Sequence, residues 1–190
     1  MGSKLKLGPV AVVILAIVMI SLLVFVSWVA LAYNSLVRRD VAVLAQWQQV
    51  ENQYQRKIIL IPTLINITSQ YTEFERSVLE NITRLRTQWM NASTFDTRIN
   101  NSVILDQQLF LLVATYEAYP YLRSIDLVYD VMTELTGTEN MIAVERMRYN
   151  DAVRVYNTQV RSFPDAFVAN SFGFRERPFY DPIPGGPGGP

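Results

Sequence analysis

The sequence contains neither cysteine nor histidine. Without thiols there is no disulfide framework. Without thiols and imidazoles there is no zinc finger, no Ser-His or Cys-His nucleophile system, and no Glu-x-x-His di-iron site of the kind helical bundles carry. A surplus of positive charge is missing as well: 17 Lys and Arg stand against 17 Asp and Glu. Setting aside Lys4 and Lys6 near the amino terminus leaves 15 basic residues against the same 17, so no basic face for nucleic acid is expected. Glycine and proline are absent from residues 34 to 61, which leaves nothing there to stop a helix. Charge is absent from Val10 to Ala32.

That last stretch, VAVVILAIVMISLLVFVSWVALA, organises the rest. As a helix it is roughly 35 Å long, enough to cross a hydrocarbon core with some tilt. Its polar side chains, Ser21 and Ser27, can bond back to carbonyls one turn earlier, and Trp28 and Tyr33 suit the headgroup layer at its downstream end. A cleavable secretory signal is the alternative, since Lys4 and Lys6 form a basic flank and Ala30-Leu31-Ala32 fits a small-x-small cleavage pattern. The length of the apolar run favours an anchor. The remainder of the 190 residues suits one water-soluble domain with a single core.

Beyond Tyr33 the helix is expected to project from the bilayer, with Leu44, Trp47, Tyr54, Ile58 and Ile61 on one face. Pro62 either kinks this helix or ends it, and the stripe resumes in register at Ile65, Tyr71, Val78, Ile82, Leu85 and Trp89. Residues 91 to 102, NASTFDTRINNS, read as a loop. A helix is predicted from Ser102, with Ile104, Leu105, Leu109, Leu112 and Val113 apolar, interrupted at Tyr119-Pro120. Tyr121 to Leu135 forms its second part, carrying Leu122, Ile125, Val128, Tyr129 and Met132. Gly137 should then terminate it. The last long helix runs from about Glu139 to Ser162, with Ile142, Met147, Val153, Tyr156 and Val160 for the core. After Phe163-Pro164 follow an aromatic strap and a Pro/Gly tail, PIPGGPGGP, which cannot build a core.

The order and spacing of several short motifs resemble the LemA family. They are Tyr33-Asn34 with Leu36-Val37, Trp47, QRKIILIPTLI from Gln55 to Ile65, Tyr71 with Glu75, and Tyr119-Pro120-Tyr121-Leu122. Further on come Glu139-Asn140, Arg146 with Tyr149-Asn150, Tyr156-Asn157, and Phe163-Pro164 leading to Phe172-Gly173-Phe174. The chain departs from the family pattern at Thr63, where Asn is usual, and at Phe74, where His is frequent. The resemblance implies a single-pass anchor followed by an up-and-down bundle of four helices, agreeing with the apolar pattern. It brings no enzymatic activity and no cofactor.

Paired carboxylates can do acid–base work without histidine. Glu73 and Glu75 point apart on a helix, and Glu80 with Arg84 is an ordinary i,i+4 pair, so solvated helix faces account for them. Asn140, Asn150 and Asn157 with Tyr149 and Tyr156 form a polar set on the last helix. It can serve as a ligand-recognising strip or, the favoured reading, bridge helices and fix their register. Asn-x-Ser/Thr sequons begin at Asn66, Asn81, Asn91 and Asn100, where composition alone gives about one. Asn91 and Asn100, both in the predicted loop, are the best glycosylation candidates, since a helix site must also face water. Phe172, Phe174, Phe179 and Tyr180 carry more apolar area than a strap leaves in water, making them candidates for contact with a second copy, although Phe163 to Phe174 can equally close their own bundle.

The sequence therefore predicts an all-α protein: a short basic start (1–9), a transmembrane helix (10–32), a LemA-like helical bundle (33–163), and an aromatic strap with Pro/Gly tail (164–190). The expected role is a non-enzymatic assembly protein of the cell envelope. It would contact membrane lipid and its own copies, need no cofactor or metal and bind no nucleic acid, with the bundle on the extracytoplasmic side. The alternative is a regulatory or ligand-sensing subunit of a membrane-protein partner such as a protease.

Overall fold

The computed structural model describes residues 8–68, 76–118 and 125–180. Every regular element among them is helical: α1 (Pro9–Thr68), α2 (Arg76–Met90), α3 (Phe95–Ala118), α4 (Asp126–Arg161) and α5 (Asp165–Phe172). Readings that rested on Lys4, Lys6, Tyr71, Glu73, Phe74, Glu75, Tyr119 to Leu122 and the tail beyond Tyr180 lie outside the described residues.

Sixty residues of α1 run without a break through Pro62, which resolves the choice between one helix and two. Its apolar stretch is long enough to span a membrane, and the window that qualifies it has no side chain buried by the protein. Ser21 donates to the carbonyl of Val18 at 2.9 Å, so its hydroxyl is satisfied within the helix. From Ala32 and Leu36 onward side chains of α1 become buried. The end of the bare apolar surface thus coincides with the boundary read from Tyr33. Ala30-Leu31-Ala32 lies inside the continuous helix.

Two readings of helix ends need correction. The loop predicted over 91–102 is only Asn91 to Thr94, because Thr94 caps α3 itself: its hydroxyl accepts from the amide of Thr97 at 3.3 Å and its carbonyl from Arg98 at 3.0 Å. Ser102 is consequently not a cap. It is buried, and its hydroxyl accepts from the indole N–H of Trp89 at 2.8 Å, joining α3 to α2. Gly137 does not end a helix either, for α4 continues through it from Asp126 to Arg161. Its Asp in the first turn and Arg in the last complement the helix dipole. The apolar stripe is otherwise buried at Trp47, Tyr54, Ile58, Ile61, Ile82, Leu85, Leu105, Leu109, Val128, Ile142 and Val153. Leu44, Ile104, Tyr129 and Met147 face outward instead.

The chain forms two compact units. One comprises Met1–Ala42 and Val155–Arg177, the other Val43–Arg154 and Pro178–Pro190. In the first, the amino-terminal part of α1 and the end of α4 are linked by Arg39, which donates to the carbonyl of Val155 at 3.0 Å, and by Gln159, which donates to Ser35 Oγ at 3.0 Å. α5 buries Val168 and Ala169 and ends in a Schellman turn: the amide of Phe174 reaches Ala169 O at 2.9 Å while Gly173 takes the left-handed conformation, φ 79°.

Candidate functional site

The second unit converges on Tyr54. This α1 side chain stacks on Trp89 of α2, with ring centroids 5.9 Å apart, and its hydroxyl donates to Asp106 Oδ2 of α3 at 2.6 Å. The same hydroxyl accepts from Arg146 of α4 and lies 2.7 Å from the hydroxyl of Tyr180. Asp106 also receives Arg146 and, through its other oxygen, Lys57, which in turn pairs with Glu139. The Lys57 side chain is 0% exposed. Lys57 and Tyr54 are neighbours because three residues along a helix bring side chains to one face.

Charge is balanced: two cations, Lys57 and Arg146, meet two carboxylates, Asp106 and Glu139. Pairing is what makes their burial tolerable, since a lone buried charge is costly. The Arg146 guanidinium also covers the ring of Tyr180, 4.5 Å from its centroid. Burial pushes the phenol of Tyr54 well above its ordinary value, helped by Asp106; the same causes push Tyr180 up. Both phenols are therefore neutral donors over the physiological range. Apart from the buried Arg146 Nε, the polar groups are spent on one another and lock α1, α3, α4 and the C-terminal segment together, with the Tyr54 stack on Trp89 adding α2. Among the described residues, no three Asp or Glu side chains converge to hold a metal ion.

The polar strip of α4 has a definite use. Asn150 accepts the amide of Tyr180 at 2.8 Å and donates to its carbonyl at 2.9 Å, while Tyr149 donates to the carbonyl of Pro178 at 2.8 Å. In the other unit Asn157 treats Arg177 in the same way, at 2.8 Å for each bond. There Arg177 forks onto Asp40 at 2.9 and 3.1 Å, and burial together with Asp40 raises the phenol of Tyr156. Tyr149, Asn150 and Asn157 therefore have a structural role, but toward the backbone of the C-terminal segment rather than the helix-to-helix bridging expected, whereas Tyr156 does meet Asp40 of another helix, α1.

Of the proposed self-contact residues, Tyr180 is buried in its own chain beside Trp47, Phe172 and Phe174 pack edge-on against Tyr33, and Phe179 is half exposed. All four sequon asparagines, Asn66, Asn81, Asn91 and Asn100, are at the surface. Asn91 lies in the turn after α2, but Asn100 is helical, and Asn81 accepts from Arg84 at 3.4 Å. Sequence reasoning missed the cluster of Lys57, Asp106 and Arg146. A signal was present: Lys57 sits between Tyr54 and Ile61 on a stripe that is otherwise apolar.

Comparison with known proteins places these residues in a family. The LemA family pattern matches residues 46–184, which include Tyr54, Lys57, Asp106, Arg146 and both clamping asparagines. Magnetosome proteins MamQ 1 and MamQ 2 of Paramagnetospirillum magneticum are each 24% identical over 209 residues, covering 96% of this chain and 76% of the relative. Magnetosome protein MamQ of Magnetospirillum gryphiswaldense is 24% identical over 205 residues, covering 94% and 75%. With one apolar helix preceding the matched region, these relationships point to a membrane-anchored protein. The chain belongs to the LemA family.

Proposed function

We propose that this protein is a non-enzymatic, membrane-anchored assembly module of the cell envelope: an up-and-down bundle of four helices closed by an aromatic strap, which self-associates. The observation that carries this reading is the internal pairing around Tyr54. The polar side chains best suited to a reactive or ligand-binding site are engaged in joining α1, α3, α4 and Tyr180. Engagement of Asn150 and Asn157 by the chain's own C-terminal backbone likewise favours assembly over a ligand-sensing role. Phe179, half exposed beside the buried Tyr180, is the residue offered for contact between copies. Parallel anchoring in one bilayer raises the effective concentration of bundles, so weak contacts suffice.

The test is mass measurement of the full chain in mild detergent, with identification of co-purifying chains. A homo-oligomer that shrinks when Phe179 is replaced by Ser and residues 181–190 are removed supports the proposal; a monomer, or a stoichiometric complex with a different membrane protein, overturns it. The cut must follow Tyr180, since a cut after Arg177 would open the buried cluster. The amino terminus is assigned to the inside and the bundle to the outside, on the strength of the surface sequons. Protease added to intact cells should remove the bundle, and full protection would reject this orientation.

A further inference from the structure

The first unit carries a second apolar surface at the level where α1 leaves its bare stretch. Arg39 reaches Val155, and Ser35 meets Gln159, so α4 runs antiparallel to α1 here, four residues on one matched by four on the other. One further turn, about 6 Å of rise, brings the chain at Phe163 toward the level of Leu31. Phe163 is 92% exposed. A separate observation gives the same depth: Phe172 packs on Tyr33 at 5.0 Å between ring centroids and lines, with Phe25, Val26, Val29 and Ala30, a groove of about 370 Å³. Those four residues lie one to two turns inside the apolar span.

α5 carries apolar side chains on its buried side and also on its exposed side, there alongside Asn170 and Ser171. It buries Val168 and Ala169 against its own unit, yet Phe167 and Phe172 remain 63% and 57% exposed. A helix that buries one face and leaves phenylalanines exposed beside polar Asn170 and Ser171 suits the boundary between lipid and water. Water is the wrong surrounding for three phenylalanines placed this close together, and the surface continuous with them is the membrane span itself.

We propose that Phe163 and α5 form a second membrane contact. The helix lies in the boundary between headgroups and acyl chains, and the groove between Phe172 and the Phe25 to Ala30 segment holds an acyl chain of a membrane phospholipid. The protein is then fixed to one leaflet at two points, which limits its tilt and rotation about the span.

The absence of cysteine makes the test clean. Single-cysteine variants Phe163→Cys, Phe167→Cys and, as a control on exposed α3 surface, Phe110→Cys are spin-labelled in the full chain and reconstituted in phosphatidylcholine vesicles. Labels at 163 and 167 should be shielded several-fold from a water-soluble nickel chelate relative to the label at 110, while staying accessible to oxygen. Equal nickel access at all three sites overturns the proposal. Shielding from both nickel and oxygen, with spin–spin broadening that disappears on dilution with unlabelled protein, also overturns it, because a second copy then covers the surface. Should a labelled variant misfold, the unaltered chain is photocrosslinked to phosphatidylcholine bearing a diazirine on its acyl chain. Adducts on α5 as well as on the span support the contact, and adducts on the span alone refute it.

Discussion

Asn150 closes both backbone hydrogen bonds of Tyr180, accepting its amide at 2.8 Å and donating to its carbonyl at 2.9 Å. A side-chain amide thus does for an irregular segment what a neighbouring strand does in a sheet, and it holds the Tyr180 ring where its hydroxyl meets Tyr54. Replacing Asn150 with Ala removes both bonds and leaves a backbone donor and acceptor to find water. At about 1 kcal/mol net for each bond, the loss should be about 2 kcal/mol. Denaturant unfolding would measure it, and hydrogen exchange at the Tyr180 amide should accelerate. An unchanged exchange rate would show that the clamp does not hold the segment.

Asp106 is the shared anion of two buried cations, so its charge matters more than its size. Asp106→Asn keeps the shape but leaves Lys57 and Arg146 short of one negative charge in a closed site. Breaking a buried pair in this way typically costs about 3–5 kcal/mol. Glu139→Gln should cost clearly less, because that side chain is one-third exposed and water can replace it. Equal losses from the two variants, measured by denaturant unfolding, would contradict this ranking.

The anchor, the helical class and most of the core stripe were legible because each rests on a repeated signal: an uncharged run of 23 residues, then apolar side chains three and four apart. Single punctuating residues misled. Gly137 has the residue type of a helix stop, but packing at Leu135, Thr138 and Ile142 holds the helix through it. Ser102 has the residue type of a cap, yet Thr94 holds that position and Ser102 serves Trp89. The cluster around Tyr54 escaped because its members come from three helices and the C-terminal segment. Their pairing is a fact of tertiary proximity that periodicity does not encode.

High pH should weaken the fold. The phenols of Tyr54 and Tyr180 are raised above the ordinary 10.0, chiefly by burial. The folded state therefore favours their neutral form, and this stability is fully present below the unfolded value of about 10 and lost as pH rises beyond it. Phenolate absorbance during an alkaline titration should show Tyr54 and Tyr180 ionising only as helicity is lost. The wild-type curve decides: smooth titration of all tyrosines with helicity intact would refute the prediction.

Two helix-interior substitutions test the continuity of α1 and α4. At Gly137 a methyl group would meet no atom within 4 Å, and no positive φ protects the glycine. Gly137→Ala should raise stability by about 0.5–1 kcal/mol, through helix propensity and a less flexible unfolded chain. At Pro62 the missing amide leaves the carbonyl of Ile58 without its helical donor. Pro62→Ala restores that donor, while the unfolded chain gains freedom that offsets part of the benefit, so the net change should lie between zero and a gain of about 1 kcal/mol. Both variants should melt no lower than the parent. A clear drop for Pro62→Ala would mean that the proline sets a bend on which the packing of Ile58, Ile61 and Leu64 depends.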